Sequence, residues 1–214
     1  MLGLMVKDLR ILKCQAKNFF IFAFLAFVML AFMGGQESYV MGYFSLVAVL
    51  LVGNTIAYDE FENGYLFLFT LPVTKKIYCL EKYVLGIIAI LLANAIISVL
   101  TFIKLGDPAI VYEAVAMVGV VMMMMSIMIP LQLKFGAEKM RLVIMIIGIA
   151  VVGISYIVGK ILEKTGAMGQ LGNVLVTLGN LPPAVLAIVG ILVVLAVLSI
   201  SILVSIKVME DRQL

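Results

Sequence analysis

The run YVLGIIAILLANAIISVLTFI, residues 83–103, contains no charged side chain. The hydrocarbon core of a bilayer is about 30 Å thick, and a helix crosses it with roughly 20 apolar residues. This run therefore predicts a membrane-spanning helix. Further apolar runs lie on either side of it, at residues 19–33, 40–57, 110–131, 142–159 and 184–206. Together they predict an all-α integral membrane protein with six transmembrane helices.

The composition is that of a membrane protein over the whole length, residues 1–214. Hydrophobic residues make up 65% of the chain, charged residues 13%, and the mean hydropathy is +1.26. A soluble domain has about 25% charged residues. The first apolar run begins only at Phe19, and no small-residue cleavage site follows it, so we expect it to stay in the mature protein. We expect a single transmembrane domain.

Lysine and arginine side chains predict the orientation of the spans, because they accumulate in cytoplasmic loops. With six spans, both ends of the chain fall on one side of the membrane. That side carries twelve cations, against three on the other, Lys104, Lys160 and Lys164. We therefore expect both termini in the cytoplasm. Cys14 and Cys79 would then face the cytosol, where thiols stay reduced, and the net charge of +3 needs no nucleic-acid partner.

The chain lacks the residues of several kinds of catalytic site. It has no histidine, which excludes histidine-based acid–base catalysis, triads and histidine-ligated metals. Neither a GxSxG turn nor a GxxxxGK(S/T) phosphate loop is present, so we expect no catalytic, cofactor-binding or metal-binding residues. Glu113 is expected to be an interfacial carboxylate rather than a proton-coupling site. Polar residues inside the runs, such as Asn94, Ser201 and Ser205, are expected to join helices by hydrogen bonds.

Residues 1–18 have a basic amphipathic pattern. Apolar residues recur on one helical face, and cations lie largely opposite. This pattern is typical of a helix that lies in the membrane interface. We expect an amino-terminal interfacial helix here. The alternative is an ordinary basic flank that follows the charge rule.

The segment 59–82, DEFENGYLFLFTLPVTKKIYCLEK, joins the second and third runs on the cytoplasmic side. Acidic residues at its start complement a helix dipole, and Pro72 cannot continue a helix. The pattern predicts a short helix over 59–69, a break, and a second helix capped by Thr74. Exposed aromatic side chains in this segment favour a surface for a partner. The alternative is that its phenylalanines dip into the membrane interface.

Three motifs of the chain resemble the ABC-2 type transporter permeases, the membrane subunits of type-2 ABC exporters. The first is the acidic pair, Gly, apolar run, LPVT and basic pair within 59–82. The second is PLQLKFGAEKMR at residues 130–141, and the third is KDL at 7–9 with its basic continuation. The resemblance covers the whole chain. It is closest to the small six-span prokaryotic branch that includes the phenol-soluble modulin exporters.

The resemblance implies a permease in the plasma membrane that pairs with a second permease chain, identical or related. It also implies two separate ATPase subunits, which would bind ATP and Mg and receive short coupling helices of the permease. The residues that it assigns to the main ATPase contact are Asp59, Glu60, Phe61, Glu62, Gly64, Phe67, Leu68, Leu71, Pro72, Thr74 and Lys75. A second, smaller contact in the cytoplasmic loop 132–141 would use Lys134, Phe135, Gly136, Glu138 and Lys139.

The sequence carries fewer signals for the substrate than for the fold. An apolar interior suits amphipathic peptides or lipids better than ions or sugars, and the resemblance favours amphipathic or antimicrobial-type peptides. The methionines at 122–125 could line an adaptable path, although ordinary helix packing is the favoured interpretation. The outer loop is expected at 160–183. The expected function is thus the permease subunit of an ATP-driven peptide exporter. The alternatives are a non-transporting membrane immunity or assembly factor and a stand-alone channel.

Overall fold

The computed structural model describes residues 2–32, 37–61, 64–70, 73–106, 110–165 and 183–212. These residues are almost entirely helical and contain no β-strand. The helices are α1 (Leu2–Cys14), α2 (Ala16–Phe32), α3 (Glu37–Glu60), α4 (Gly64–Leu68), α5 (Lys75–Leu105), α6 (Ile110–Thr165) and α7 (Pro183–Asp211). The prediction of an all-α protein is confirmed.

Four helices in the described part of the chain are long and apolar enough to cross a membrane, so the predicted count of six is not confirmed. They are Tyr39–Glu60 in α3, Lys75–Leu105 in α5, Ile110–Met140 in α6 and Val185–Asp211 in α7. The apolar part of α2, Phe20–Met29, is shorter than a full span. The whole helix α2 has 17 residues, which is at the lower limit of length for a span.

The predicted fourth and fifth spans both belong to α6. This helix is continuous except at Gly136, whose φ of 79° and ψ of 165° are not helical. Two helical stretches therefore meet at Gly136, inside the predicted cytoplasmic loop 132–141. Of the predicted outer loop 160–183, residues 160–165 extend α6, and 166–182 lie outside the described residues.

Local signals fix both ends of α5. Thr74 is extended, and its side chain accepts a hydrogen bond from the Ile77 N–H at 3.3 Å. This confirms the predicted N-cap, which satisfies a backbone donor that the helix leaves free. At the other end Gly106 is left-handed, with φ of 69°, and its N–H donates to the Phe102 carbonyl at 2.8 Å.

The predicted helix over 59–69 does not begin where the sequence indicates. Asp59 and Glu60 form the last turn of α3 rather than the first turn of a new helix, and α4 starts at Gly64. A carboxylate in a last turn opposes the helix dipole. Tertiary partners must therefore stabilise these two side chains where they stand.

The bundle is organised around α3, which packs against both α5 and α6, while α7 packs against α6. One cluster of buried apolar side chains lies among α1 and α3 to α7 and includes Leu4, Ile56 and Met125. A second lies mainly among α2, α3 and α5 and includes Met41 and Ile97. Burial of these side chains holds the helices of the described chain in one body.

Buried polar side chains add specific contacts between the helices. The Tyr83 hydroxyl is hydrogen-bonded to Ser201 Oγ at 2.5 Å and to Ser205 Oγ at 2.8 Å, which joins α5 to α7. The Asn94 amide donates to Ser45 Oγ at 3.3 Å, which joins α5 to α3. The predicted interhelical roles of Asn94, Ser201 and Ser205 are confirmed. Such bonds stabilise a membrane bundle by about 0.6 to 2 kcal/mol each.

Helix α1 contacts the end of α3 and the first part of α5. Leu4 is buried, whereas Val6 and Leu9 are exposed. The helix therefore has one side against the bundle and one apolar side that faces away from it. The helix predicted for 1–18 is present, but it ends at Cys14. Its position in the membrane interface stays a prediction.

Candidate functional site

The carboxylates of Asp59 and Glu60, at the end of α3, bind two different groups of partners. Asp59 is buried and faces α1 and α5. Glu60 is partly exposed and faces α6 and the end of α7. The end of α3 is thus the point at which α1, α5, α6 and the end of α7 meet.

The first group, which we call the ionic cluster, consists of Lys7, Asp8, Asp59, Glu81 and Lys82. Lys82 is fully buried at its centre. Its ammonium pairs with Asp8, lies 2.9 Å from Asp59 Oδ2, and donates to Thr55 Oγ1 at 3.1 Å. A buried charge is tolerated only when it is paired and hydrogen-bonded. The cluster therefore ties α1, α3 and α5 together through Lys82.

Asp59 is held from two further directions. Lys7 pairs with its Oδ1 atom, and the Tyr78 hydroxyl donates to its Oδ2 atom at 3.0 Å. Burial alone would lower the pKa of Lys7, but the hydrogen bond and charge of Asp59, together with the charge of Asp8, outweigh it and raise the pKa above 10.5. The stability from these contacts is therefore complete at neutral pH. As the pH rises through this raised pKa, the contribution of the Lys7 charge is lost.

Glu81 is the least satisfied member of the ionic cluster. It is 1% exposed, and its closest cation is the neighbouring Lys82, with 3.8 Å between Nζ and Oε2. Neither Glu81 oxygen has a hydrogen-bond partner among the described residues. The cluster thus contains three carboxylates and two ammonium groups. These carboxylates do not form a metal site within the described chain.

The second group, which we call the clasp, consists of Glu60, Leu133, Ala137 and Arg212. The Arg212 guanidinium donates to Glu60 Oε1 at 2.7 Å and to the Leu133 carbonyl at 3.2 Å. Glu60 Oε2 accepts the Ala137 N–H at 2.6 Å. The clasp therefore joins the end of α3, the kink of α6 and the residue that follows α7.

Gly136 allows the clasp to form. A Cβ atom at this position would lie 2.4 Å from Glu60 Oε1, and the positive φ is strained for any other residue. Beyond the kink, the Ala137 N–H begins a new helical stretch and has no partner within the helix. Glu60 supplies that partner from α3, and its negative charge suits the amino-terminal end of a helix.

Helix α4 and the start of α5 lie beside the clasp. The Tyr65 ring contacts the Tyr78 ring edge-on, with centroids 5.8 Å apart, and the Arg212 guanidinium lies 5.0 Å from the Tyr65 centroid. Burial raises the pKa of Tyr65 well above its usual value, so its hydroxyl stays neutral. Lys75 Nζ donates to the Arg212 carbonyl at 2.9 Å. These contacts attach α4 and α5 to the same end of α7.

The structure places several residues of the predicted main ATPase contact inside the chain. Asp59 belongs to the ionic cluster, Glu60 to the clasp, and Lys75 binds the end of α7. Leu68 is 6% exposed and packs in the first apolar cluster. Gly64 lies against the Asp59 carbonyl, where a Cβ atom would be 2.6 Å away. In this structure these residues hold the segment in place.

Phe61 is the predicted contact residue with a large exposed side chain, at 72%. Thr74 caps α5. Some predicted contact residues lie outside the described residues, namely Glu62, Leu71 and Pro72. Phe67 is in α4, but its side chain is not described. Phe61 is therefore the clearest point at which this segment presents an apolar group to a partner.

The predicted second contact remains largely on the surface. Lys134, Phe135, Glu138 and Lys139 are exposed, and the Lys134 ammonium lies 5.5 Å from the Phe135 ring centroid. Gly136 is buried under Glu60. The clasp brings this region next to the end of α3, a connection that sequence reasoning did not predict.

Sequence reasoning also missed the most buried charged groups. The sequence indicates Lys82 only as one of the cytoplasmic cations, and it predicts no ion pair for Asp8 or Arg212. An acidic residue inside the basic segment 1–18 was the available signal for Asp8. Lys82 immediately precedes the apolar run 83–103, where a cation is usually exposed to water.

Comparison with known proteins identifies the family to which the chain belongs. The model described as "ABC-2 family transporter protein" matches residues 3–210. The matched range contains the whole ionic cluster and all of the clasp except Arg212. No curated protein and no solved structure shows significant similarity to the chain.

Proposed function

Because the chain belongs to the ABC-2 family of transporter proteins, we propose that it is the permease subunit of an ABC exporter whose ATPase subunits are separate chains. The described helices that are able to cross a membrane suit this role. In the proposed orientation both termini are cytoplasmic, and the ionic cluster and the clasp lie on the inner side of a prokaryotic plasma membrane. An ATPase in the cytoplasm would meet the protein at this end.

The observation that carries the proposal is the clasp. It joins the segment 59–82 to the kink in 132–141, the two regions that the family resemblance assigns to ATPase contact. A displacement of one region is therefore transmitted to the other, and from both to α3, α6 and α7. Such a unit suits a rigid lever moved by ATP-driven closure of the ATPase pair.

Two exposed phenylalanines mark the proposed ATPase-binding surface. Phe61 follows Glu60 directly, and Phe135 lies two residues from both Leu133 and Ala137, so both are close to clasp residues in the chain. Phe61 is 72% and Phe135 38% exposed. Large aromatic side chains that fill a pocket of a partner supply much of the binding energy of an interface. We expect the cleft of the ATPase to receive these two rings.

The assembly proposed here has two permease chains and two ATPase subunits, with ATP and Mg bound by the ATPases. Amphipathic peptides are the proposed substrate, in keeping with the apolar helices and with the small peptide-exporting branch that the motifs resemble.

The methionine run at 122–125 has two kinds of environment in the structure. Met125 packs in the core, whereas Met124 is exposed. The helix-packing role therefore applies at least to Met125.

Phe61→Ala is expected to weaken binding of the ATPase while the permease still folds. Loss of one aromatic anchor costs about 2 kcal/mol at an interface, or roughly a thirty-fold loss of affinity. The measurement is co-purification with an ABC ATPase of the same genome, followed by titration of that ATPase onto the permease in lipid nanodiscs.

Phe32→Ala is the matched control, because Phe32 is also highly exposed, at 84%, and lies at the end of α2 that is remote from α1. We expect it to bind the ATPase like the unchanged protein. Equal affinity of Phe61→Ala and Phe32→Ala would reject the binding surface. If the unchanged chain binds no ATPase in detergent or in lipid, the permease proposal is wrong, and an immunity factor or a channel becomes the better explanation.

A further inference from the structure

A groove of about 640 Å³ lies between α1 and the end of α3. Its walls include Gly3, Val6, Arg10 and Ile11 from α1 and Tyr58 from α3. Val6 is 48% and Tyr58 57% exposed, so the groove opens to the surroundings of the protein. It is distinct from the clasp and from the proposed ATPase-binding surface.

The depth of the groove in the membrane follows from α3. The candidate span Tyr39–Glu60 has 22 residues and rises about 33 Å, which matches the hydrocarbon thickness of about 30 Å. Tyr58 lies two residues from the end of this span. The groove is therefore at the level of the lipid headgroups, where the amphipathic ring of tyrosine is favoured.

The lining of the groove has the two chemical parts of a phospholipid site. Val6 and Ile11 supply apolar contact, and the guanidinium of Arg10 is exposed beside them. Arginine binds phosphate oxygens with two parallel hydrogen bonds. Lys7 also lines the groove, and its side chain is 31% exposed. The positive rim and the apolar wall complement an anionic lipid.

We propose that this groove binds one anionic phospholipid of the inner leaflet. The phosphate lies against Arg10, and the upper part of an acyl chain lies against Val6 and Ile11. The lipid reaches the site laterally, because the groove lies at the membrane surface beside a span.

The bound lipid is linked to the ionic cluster through Lys7. This residue lines the groove and pairs with Asp59 and Asp8 inside the protein. An occupied groove fills the space between α1 and α3 and places a negative group beside Lys7. The lipid therefore stabilises the packing of α1 against the end of α3, where the clasp residue Glu60 follows Asp59.

The test compares binding of phosphatidylglycerol and phosphatidylcholine to the purified full chain by native mass spectrometry during lipid titration. One Lys or Arg near a membrane surface contributes about 1 kcal/mol toward anionic lipid, or roughly five-fold in affinity. Arg10→Gln is expected to weaken phosphatidylglycerol binding by this factor. Lys13→Gln removes the same charge from the same helix outside the groove lining and is expected to change binding less than two-fold.

Gly3→Leu tests the groove without changing the charge. A Cβ atom at Gly3 would meet no other atom within 4 Å, so the helix tolerates the larger side chain, which then fills the groove. We expect Gly3→Leu to lose the preference for phosphatidylglycerol over phosphatidylcholine while the helical content stays unchanged.

Three results would overturn the proposal. Equal losses in Arg10→Gln and Lys13→Gln would indicate a diffuse attraction of a basic helix. Unchanged binding in Gly3→Leu would place the lipid elsewhere. Displacement of the lipid by an equal concentration of inorganic phosphate would identify a free-phosphate site instead.

Discussion

Replacing Lys82 with methionine is expected to lower the free energy of unfolding by about 3–5 kcal/mol, because it removes the buried cation of the ionic cluster and leaves Lys7 alone against three carboxylates. Lys82 is fully buried and pairs with both Asp8 and Asp59. Methionine has a similar length, so the packing changes less than the charge. Asp8→Asn in the Lys82→Met background removes one of the buried carboxylates that Lys82 neutralised and is expected to return part of the lost stability.

The measurement is thermal unfolding in detergent, followed by a thiol-reactive dye in a Cys14→Ser background. Cys79 is fully buried and reports unfolding when it becomes accessible. Lys76→Met is the control, because Lys76 is 65% exposed and its Nζ atom lies 3.5 Å from Glu210 on the surface. An exposed pair of this kind contributes about 0–1 kcal/mol. Equal losses for Lys82→Met and Lys76→Met would contradict the ionic cluster.

Gly136→Ala is expected to disrupt the clasp. The positive φ at this position costs a non-glycine residue about 1–3 kcal/mol. The new Cβ atom would also lie 2.4 Å from Glu60 Oε1 and displace that carboxylate from the Ala137 N–H. We expect lower stability together with loss of ATPase binding, because the two regions of the proposed contact are no longer joined.

Gly148→Ala is the control on the same helix, since a Cβ atom there would meet nothing within 4 Å. Alanine in a helix interior is favoured over glycine by about 0.5–1 kcal/mol, so this variant is expected to be neutral or slightly more stable. Glu60→Ala combined with Gly136→Ala removes the steric conflict but not the backbone strain, and it should recover only part of the stability. Equal stability of the Gly136→Ala and Gly148→Ala proteins would contradict the non-helical conformation at Gly136.

The sequence predicts those features that depend on neighbouring residues. Apolar runs predict the helices, and Thr74 before a basic pair predicts the cap of α5, as the structure confirms. The count of six spans is not confirmed, since four helices of the described residues are long and apolar enough to cross a membrane.

The features that the sequence could not predict depend on distant residues. Asp59 and Glu60 resemble the first turn of a helix, because acids favour that position. They lie instead in the last turn of α3, where Lys82 and Arg212 compensate for the unfavourable dipole. Arg212 is 152 positions from Glu60, and no local pattern connects the two. The clasp and the ionic cluster are therefore products of the packed bundle.

Cysteine cross-linking to the ATPase tests the proposed role of the clasp most directly. Phe61→Cys, in the Cys14→Ser background, places a reactive thiol beside Glu60, and Phe32→Cys places one at the far end of α2. We predict that Phe61→Cys forms a cross-link to the co-expressed ABC ATPase, that its yield changes on addition of ATP and Mg, and that Phe32→Cys forms none. Equal yields at the two positions, or no cross-link from Phe61→Cys, would contradict the account.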